Sequence, residues 1–191
     1  MACTDDIADT DAFKRGSVGE AIVAEFLKQQ GLEVVPAHEC NPDGAAVMRS
    51  QDDFFVLPDL LVFSNTEPVW VEVKTKESAI EFRQKSELRH CINEHHYDQY
   101  LKVEHLSSFD VWLFVYEEDS GKILRAPLNW LPPAQFLSAS QSSGAYESDV
   151  VFFRRNDFID AGVCVNEIGE IRNCPTVDEF RNSPRNDPFS E

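Results

Sequence analysis

The chain has 191 residues, 42% of them hydrophobic and 14 of them Phe, with a formal net charge of −17 at pH 7. That length supports one domain with a real core; no apolar run approaches the ~20 residues of a membrane span, and the opening MACTDDIADTDAFKRG lacks the basic-then-apolar order of a secretory signal. Five cysteines (Cys3, Cys40, Cys91, Cys164, Cys174) without a CxxC pair support neither a disulfide framework nor a zinc site, so they read as reduced thiols in a cytoplasmic protein.

Residues 1–12 are polar and acidic and read as a flexible tail. GSVGEAIVAEFLKQQG (16–31) follows, with Ser17 and Glu20 in the spacing of a capping box. Val18, Ile22 and Phe26, and likewise Val23 and Leu27, recur at helical spacing, and Gly31 is placed for the stop. LEVVPA (32–37) reads as a strand and residues 38–53 as a loop. Two short apolar runs, Leu60–Phe63 and Val69–Val73, flank turn chemistry at Asn65, Thr66 and Pro68, which predicts a hairpin. Helix is expected over Glu94–Glu104. FDVWLFVYEED (109–119) reads as a buried strand and KILRAPL (122–128) as its partner. NWLPPAQFLSASQSSGAY (129–146) reads as an irregular connection with a short helix. SDVVFFRRNDFID (148–160) reads as one further strand. Residues 166–191 form an acidic C-terminal extension with a weak, partly disordered pattern. This order of elements predicts a single domain over 13–165 with a mixed central β-sheet flanked by helices, an α/β class.

The hairpin carries three charges at notable places. If its centre falls between Asn65 and Thr66, Asp59 and Glu72 stand directly opposite one another. Trp70, Glu72 and Lys74 share one face of the second strand by its period of two. Opposed like charges are destabilising, and a divalent cation would offset them. Mg²⁺ is held by one or two carboxylates together with waters and phosphate oxygens. The plainer alternative makes Asp59 a turn residue after Pro58, and Glu72 with Lys74 an exposed pair on an edge strand.

The overall acidity opposes general nucleic-acid binding. It is uneven, however: from Glu72 to Lys102 six basic residues meet six acidic ones, against 11 and 28 in the rest of the chain. A local patch there meets phosphates even where long-range attraction is poor.

Four stretches, in order, resemble the PD-(D/E)XK nuclease superfamily, with its restriction-endonuclease-like and Holliday-junction-resolvase-like core. GSVGEAIVAEFLKQQGLEVV is similar to the opening helix of that core, LPDLLVF carries its Asp, VWVEVKTK its E-x-K pair, and HHYDQYLKVE its following helix. The likeness runs from Phe13 to Tyr116, and VVFFRRNDF corresponds to a closing strand. The resemblance implies a metal-dependent nuclease acting on DNA. Asp59 and Glu72 would ligate Mg²⁺ or Mn²⁺, with the Val73 carbonyl adding a ligand. Glu20 would approach from the helix to hold a water or a second metal. Lys74 would position or deprotonate the attacking water, or stabilise the transition state. Its carboxylate neighbours favour the ammonium, and with it the electrostatic role.

Each assignment has a structural counterpart. Glu20 also serves as a helix cap. Lys76 shares the strand face and reaches phosphate, or is a solvated strand end. Gln99 and Tyr100 reach the metal site, or, with Tyr97 and Leu101, pack the helix on the sheet. His95 and His96 are adjacent and point in different directions on a helix, which argues against a paired metal site; contact of one of them with the substrate is the alternative. Arg154 and Arg155 are phosphate contacts or surface residues. Asp52 and Asp53 are loop charges, and become ligands only if the register shifts by one.

No helix-turn-helix or zinc-finger module is present, so specificity would come from a homodimer, a protein partner or DNA shape. An alternative from another class is a catalytically silent, acidic nuclease-fold protein that binds or inhibits a basic or DNA-binding partner.

Overall fold

Val23, Phe26 and Leu27, spaced three and one apart, are fully buried on one stripe of the first helix, α1 (Asp11–Gln29). Apolar residues at that spacing make one face of a helix, and burial of that face holds it in place. The helix stops at Gly31, whose φ is +75°. The Leu32 N–H bonds to the Leu27 carbonyl (3.2 Å) and the Gly31 N–H to the Lys28 carbonyl (2.9 Å). This is the six-to-one, five-to-two closure that a left-handed glycine permits. The computed structural model describes residues 11–40, 46–49, 53–63, 67–82, 85–138, 148–164 and 171–172. The expected tail up to residue 10, the hairpin turn at 64–66, Asp52 and nearly all of the expected extension 166–191 lie outside the described residues.

The helix begins earlier than the capping box suggested. Ser17 and Glu20 lie inside α1, so neither caps it. Its first turn is tied down by Arg15, whose guanidinium pairs with Glu118, 103 residues away.

Thirteen strands are found among the described residues: β1 (Glu33–Pro36), β2 (Val47–Arg49), β3 (Phe54–Val56), β4 (Leu60–Phe63), β5 (Pro68–Lys76), β6 (Ile80–Phe82), β7 (Glu87–Asn93), β8 (Val111–Glu117), β9 (Lys122–Pro127), β10 (Gln135–Leu137), β11 (Val150–Arg154), β12 (Ile159–Cys164) and β13 (Ile171–Arg172). The second helix, α2 (Glu94–Ser107), lies between β7 and β8. The central sheet has seven strands in the order β1-β4-β5-β8-β9-β12-β13. It is mixed, because β5 and β8 run parallel while the other neighbours are antiparallel. Parallel neighbours need a long crossover; here it contains β6, β7 and α2. The architecture is thus the α/β class, a mixed central sheet flanked by helices.

The long strand β5 is the spine. Val71 and Val73 point to the α1 side, where they join Val23, Phe26, Leu27 and Phe114 in one core. Trp70 points to the other side and joins Tyr100 and Val103 of α2 in a second core. The helix α2 starts on Asn93, whose side chain accepts from the His95 N–H (2.9 Å).

Several elements correct the sequence expectations. The expected loop 38–53 contains a 3-10 turn (Ala37–Cys40) and β2, which pairs with β3 in a small hairpin. Residues 87–93, with their charges and His90, form a strand. Gln135–Leu137 forms β10 within the expected irregular connection. The expected single strand over 148–160 is two, β11 and β12, separated by a 3-10 turn. VVFFR does not close the central sheet. As β11 it lies in a second, four-stranded sheet of order β10-β11-β7-β6, and β12 takes the place beside β9.

The two sheets are joined by a polar cluster. Glu117, at the end of β8 and buried, accepts from Arg155 Nε (2.7 Å) and Nη2 (2.8 Å) and sits 2.9 Å from His90 Nε2. No helix among the described residues is long and apolar enough to cross a membrane.

Candidate active site

β4 and β5 pair antiparallel with Phe63 opposite Pro68 and Leu60 opposite Val71. One step further along that register, Asp59 stands across from Glu72. Asp59 is fixed on both sides. Its backbone carbonyl accepts from the Ala37 N–H (2.7 Å) at the end of β1, and its Oδ2 accepts from the Val73 N–H (2.8 Å) on β5. In an extended strand the N–H and C=O of one residue point the same way, so the Val73 carbonyl faces the edge where Asp59 lies.

Glu72 is 1% exposed. Its Oε1 pairs with the Lys74 ammonium, two residues along the same strand face. The Tyr100 hydroxyl, from α2, donates to the same carboxylate. Glu72 Oε2, also buried, has no hydrogen-bond partner. A buried, unpaired carboxylate oxygen is costly unless something satisfies it.

The electrostatics point the same way. Burial, and then the Glu72 charge, push the Asp59 carboxyl well above the usual carboxylate range, against the pull of Lys74 and the Val73 N–H. Burial and Glu72 also push the Glu20 carboxyl up, while His38 and Lys74 draw it back. For Lys74, burial pulls the amine down, but Glu72 and Asp59 outweigh it and hold the ammonium protonated. Negative charge is therefore in excess: three carboxylates share one ammonium. A divalent cation fits this set. Among the described residues no three His, Cys, Asp or Glu side chains form a ready-made cage. Mg²⁺ does not need one, since it takes one or two carboxylates and keeps its waters.

Glu20 arrives from α1 by a close approach. A Cβ on Gly19 would lie 1.9 Å from Thr75 Oγ1, so only glycine lets the helix touch β5 one residue past Lys74. His38, in the turn after β1, acts on Glu20. The sequence reading passed it over as a loop residue. Its signal was the pairing of LEVVPA with LPDLLVF, which brings residue 37 opposite Asp59.

The other sequence candidates lie as follows. Lys76 ends β5 on the face of Lys74, and its charge acts on His90 and Cys91 of β7. Gln99 accepts from the Val56 N–H (2.8 Å) and meets His95 Nε2 at 2.7 Å, so its side chain holds β3 against α2. Tyr100 combines two roles, packing in the core and bonding Glu72. The expected divergence of His95 and His96 is not found: their ring centroids are 6.1 Å apart, and His96 lies 5.9 Å from the Tyr100 ring. Burial and then Lys74 hold His96 below its usual range. Arg154 pairs with Glu87 and Arg155 with Glu117. Asp53 Oδ1 accepts from the Phe54 N–H (2.9 Å), a turn role.

With this architecture and geometry, the chain is similar to solved structures of two nucleases. One is Hjc, a Holliday junction resolvase from Archaeoglobus fulgidus: 12% identity, 74% of this chain and 90% of that chain covered, TM-score 0.47. The other is D212, a nuclease from a fusselovirus: 11% identity, 84% of this chain and 90% of that chain covered, TM-score 0.40. No family model matches the chain, and no curated protein matches it.

Proposed function

We propose that the chain is a metal-dependent nuclease that hydrolyses DNA phosphodiester bonds, using Mg²⁺ or Mn²⁺ and cutting as an endonuclease. One observation carries the reading. Asp59, one residue before β4, is held by the Val73 N–H beside Glu72 of β5, with an ammonium next to them and a buried Glu72 oxygen left without a partner.

Asp59, Glu72 and the Val73 carbonyl would hold the cation, and Glu20 would hold a water or a second metal from the helix side. Such a cation, when bound, lowers the pKa of a coordinated water and neutralises phosphate oxygens. Lys74 places its ammonium where negative charge develops on the scissile phosphate. Because its neighbours keep it protonated, it acts through charge and not as a base. Tyr100 orients Glu72 through its hydroxyl. Specificity is left to DNA shape, to a second copy of the chain or to a protein partner.

The test is cleavage of supercoiled plasmid and single-stranded DNA with Mg²⁺, Mn²⁺ or EDTA. Cutting that needs the metal and disappears in Lys74→Ala supports the reading. Inactivity under all conditions, with tight binding to a basic protein, supports the acidic binding protein instead.

A further inference from the structure

The hairpin β2–β3 shows an unusual outer face. Val47, Arg49 and Phe54 are exposed, and Phe54, at 59%, is the most exposed large hydrophobic residue among those described. Arg49 and Phe54 are direct cross-strand partners, and the Arg49 guanidinium lies 5.4 Å from the Phe54 ring centroid. The inner face is sealed. Phe55 is buried against α2 with the Lys102 ammonium 5.6 Å from its ring, and Gln99 pins the Val56 N–H. An exposed ring is thus held on a paired strand, with a guanidinium 5.4 Å from its centroid.

Its place matters. From β3 the chain leads through Leu57 and Pro58 to Asp59. Five residues span at most ~17 Å of chain, so the backbone of Phe54 lies within that distance of Asp59. The acid beside the ring, Asp53, is engaged with the Phe54 N–H. Arg49 and Lys102 place cations over the rings of Phe54 and Phe55, in a chain that is strongly acidic. Aromatic rings next to cations hold unpaired bases by stacking, whatever the base. A paired base in a duplex has both faces covered already.

We propose that Phe54, with Arg49, forms a stacking platform for an unpaired nucleobase of the DNA strand that is cut. Its ligand is DNA with single-stranded character: a loop, a flap or a gap. This inference rests on the nuclease reading and names the substrate class for it.

The experiment measures binding of a single-stranded 20-mer and a blunt duplex by fluorescence anisotropy. It uses Lys74→Ala protein, which keeps both carboxylates and does not cut, alone and with Phe54→Ala, Phe54→Trp or Arg49→Ala added. Cleavage by the wild type runs in parallel. In Phe54→Ala the ratio of single-strand to duplex affinity should fall roughly 5- to 150-fold, the range for losing one stacked base. Phe54→Trp should retain the ratio, and Phe136→Ala, an exposed aromatic on the second sheet, should leave it alone. An unchanged ratio in Phe54→Ala, with cleavage by the wild type intact, overturns the platform and leaves the nuclease standing. So does a change in sedimentation mass in place of affinity, which makes the patch a contact between two copies. Failure of the wild type to cut any DNA with either metal overturns the nuclease reading, and the platform with it.

Discussion

The carboxylate of Asp59 accepts a hydrogen bond from the backbone N–H of Val73, 2.8 Å away and one residue past Glu72. This bond crosses from the chain entering β4 to the middle of β5. It locks the Asp59 side chain beside Glu72, in a place where burial and a like charge both oppose its ionisation. On the proposed function a bound cation would relieve that opposition, and most of our expectations follow from it.

Replacing Asp59 by Asn should abolish cleavage yet stabilise the fold. The sign follows from linkage. A carboxyl raised above its unfolded value binds more protons folded than unfolded, so stability falls as pH rises past the unfolded value near 3.8. Asn removes that loss and keeps an acceptor for the Val73 N–H. In EDTA at pH 8 the Tm of Asp59→Asn should exceed that of the wild type by several degrees, about 2–4 °C per kcal/mol at this size.

Lys74→Met should have the opposite effect on the metal-free protein. It leaves Glu72 and Asp59 without their counter-charge. Since Lys74 is a quarter exposed, the cost is about 1–3 kcal/mol, below that of a fully buried pair. Mn²⁺ should restore much of the lost Tm. Cleavage should fall about 10²- to 10³-fold, the usual effect of removing one transition-state donor. Melting curves and single-turnover rates check the two halves separately.

The helix contact at Gly19 sets the approach of Glu20. Gly19→Ala should destabilise by about 1–3 kcal/mol through overpacking against Thr75. It should also reduce cleavage by moving Glu20. Adding Thr75→Ala removes the atom that Gly19→Ala would strike, so the double variant should recover part of both losses. Equal losses in the single and double variants would place the defect elsewhere.

The His90, Glu117 and Arg155 cluster should govern acid stability. Burial holds His90 below its usual range in spite of Glu117. Its share of stability is present above the unfolded value of 6.5 and is lost as pH falls through the folded value. Burial raises Glu117, but Arg155 outweighs it and holds the carboxyl low. That share is present above 4.5 and is lost on further acidification. The stability that this cluster contributes should therefore decline from about pH 6.5 downward, read as the difference between wild type and Arg155→Ala. Arg155→Ala should cost about 3 kcal/mol by leaving Glu117 buried and unpaired, read as a Tm drop of roughly 6–12 °C.

The hairpin register was legible because turn residues and apolar runs are local and symmetric about residue 65.5. The helical face of α1 was legible for the same reason, from its spacing. What escaped depends on distant partners. The start of α1 is tied by Arg15 to Glu118, and no local pattern shows that. β7 reads as polar because Arg89 and His90 are buried in it. They are tolerated there through Gln135 and Glu117, 46 and 27 residues away. VVFFR was legible as a strand, but not as a strand of the second sheet, because apolar alternation names a face and not a neighbour. At the candidate site, Asp59 opposite Glu72 followed from the hairpin alone. The roles of Gln99 and Tyr100 did not, since they depend on how α2 lies across β3 and β5.

A crystal grown or soaked in Mn²⁺ decides whether Asp59 and Glu72 hold a cation. An anomalous peak is expected within roughly 2.1 Å of an oxygen of Asp59 and of Glu72 Oε2, a distance suited to hard divalent cations. Full soaking that leaves both carboxylates bare, or a peak held by other residues alone, would contradict it.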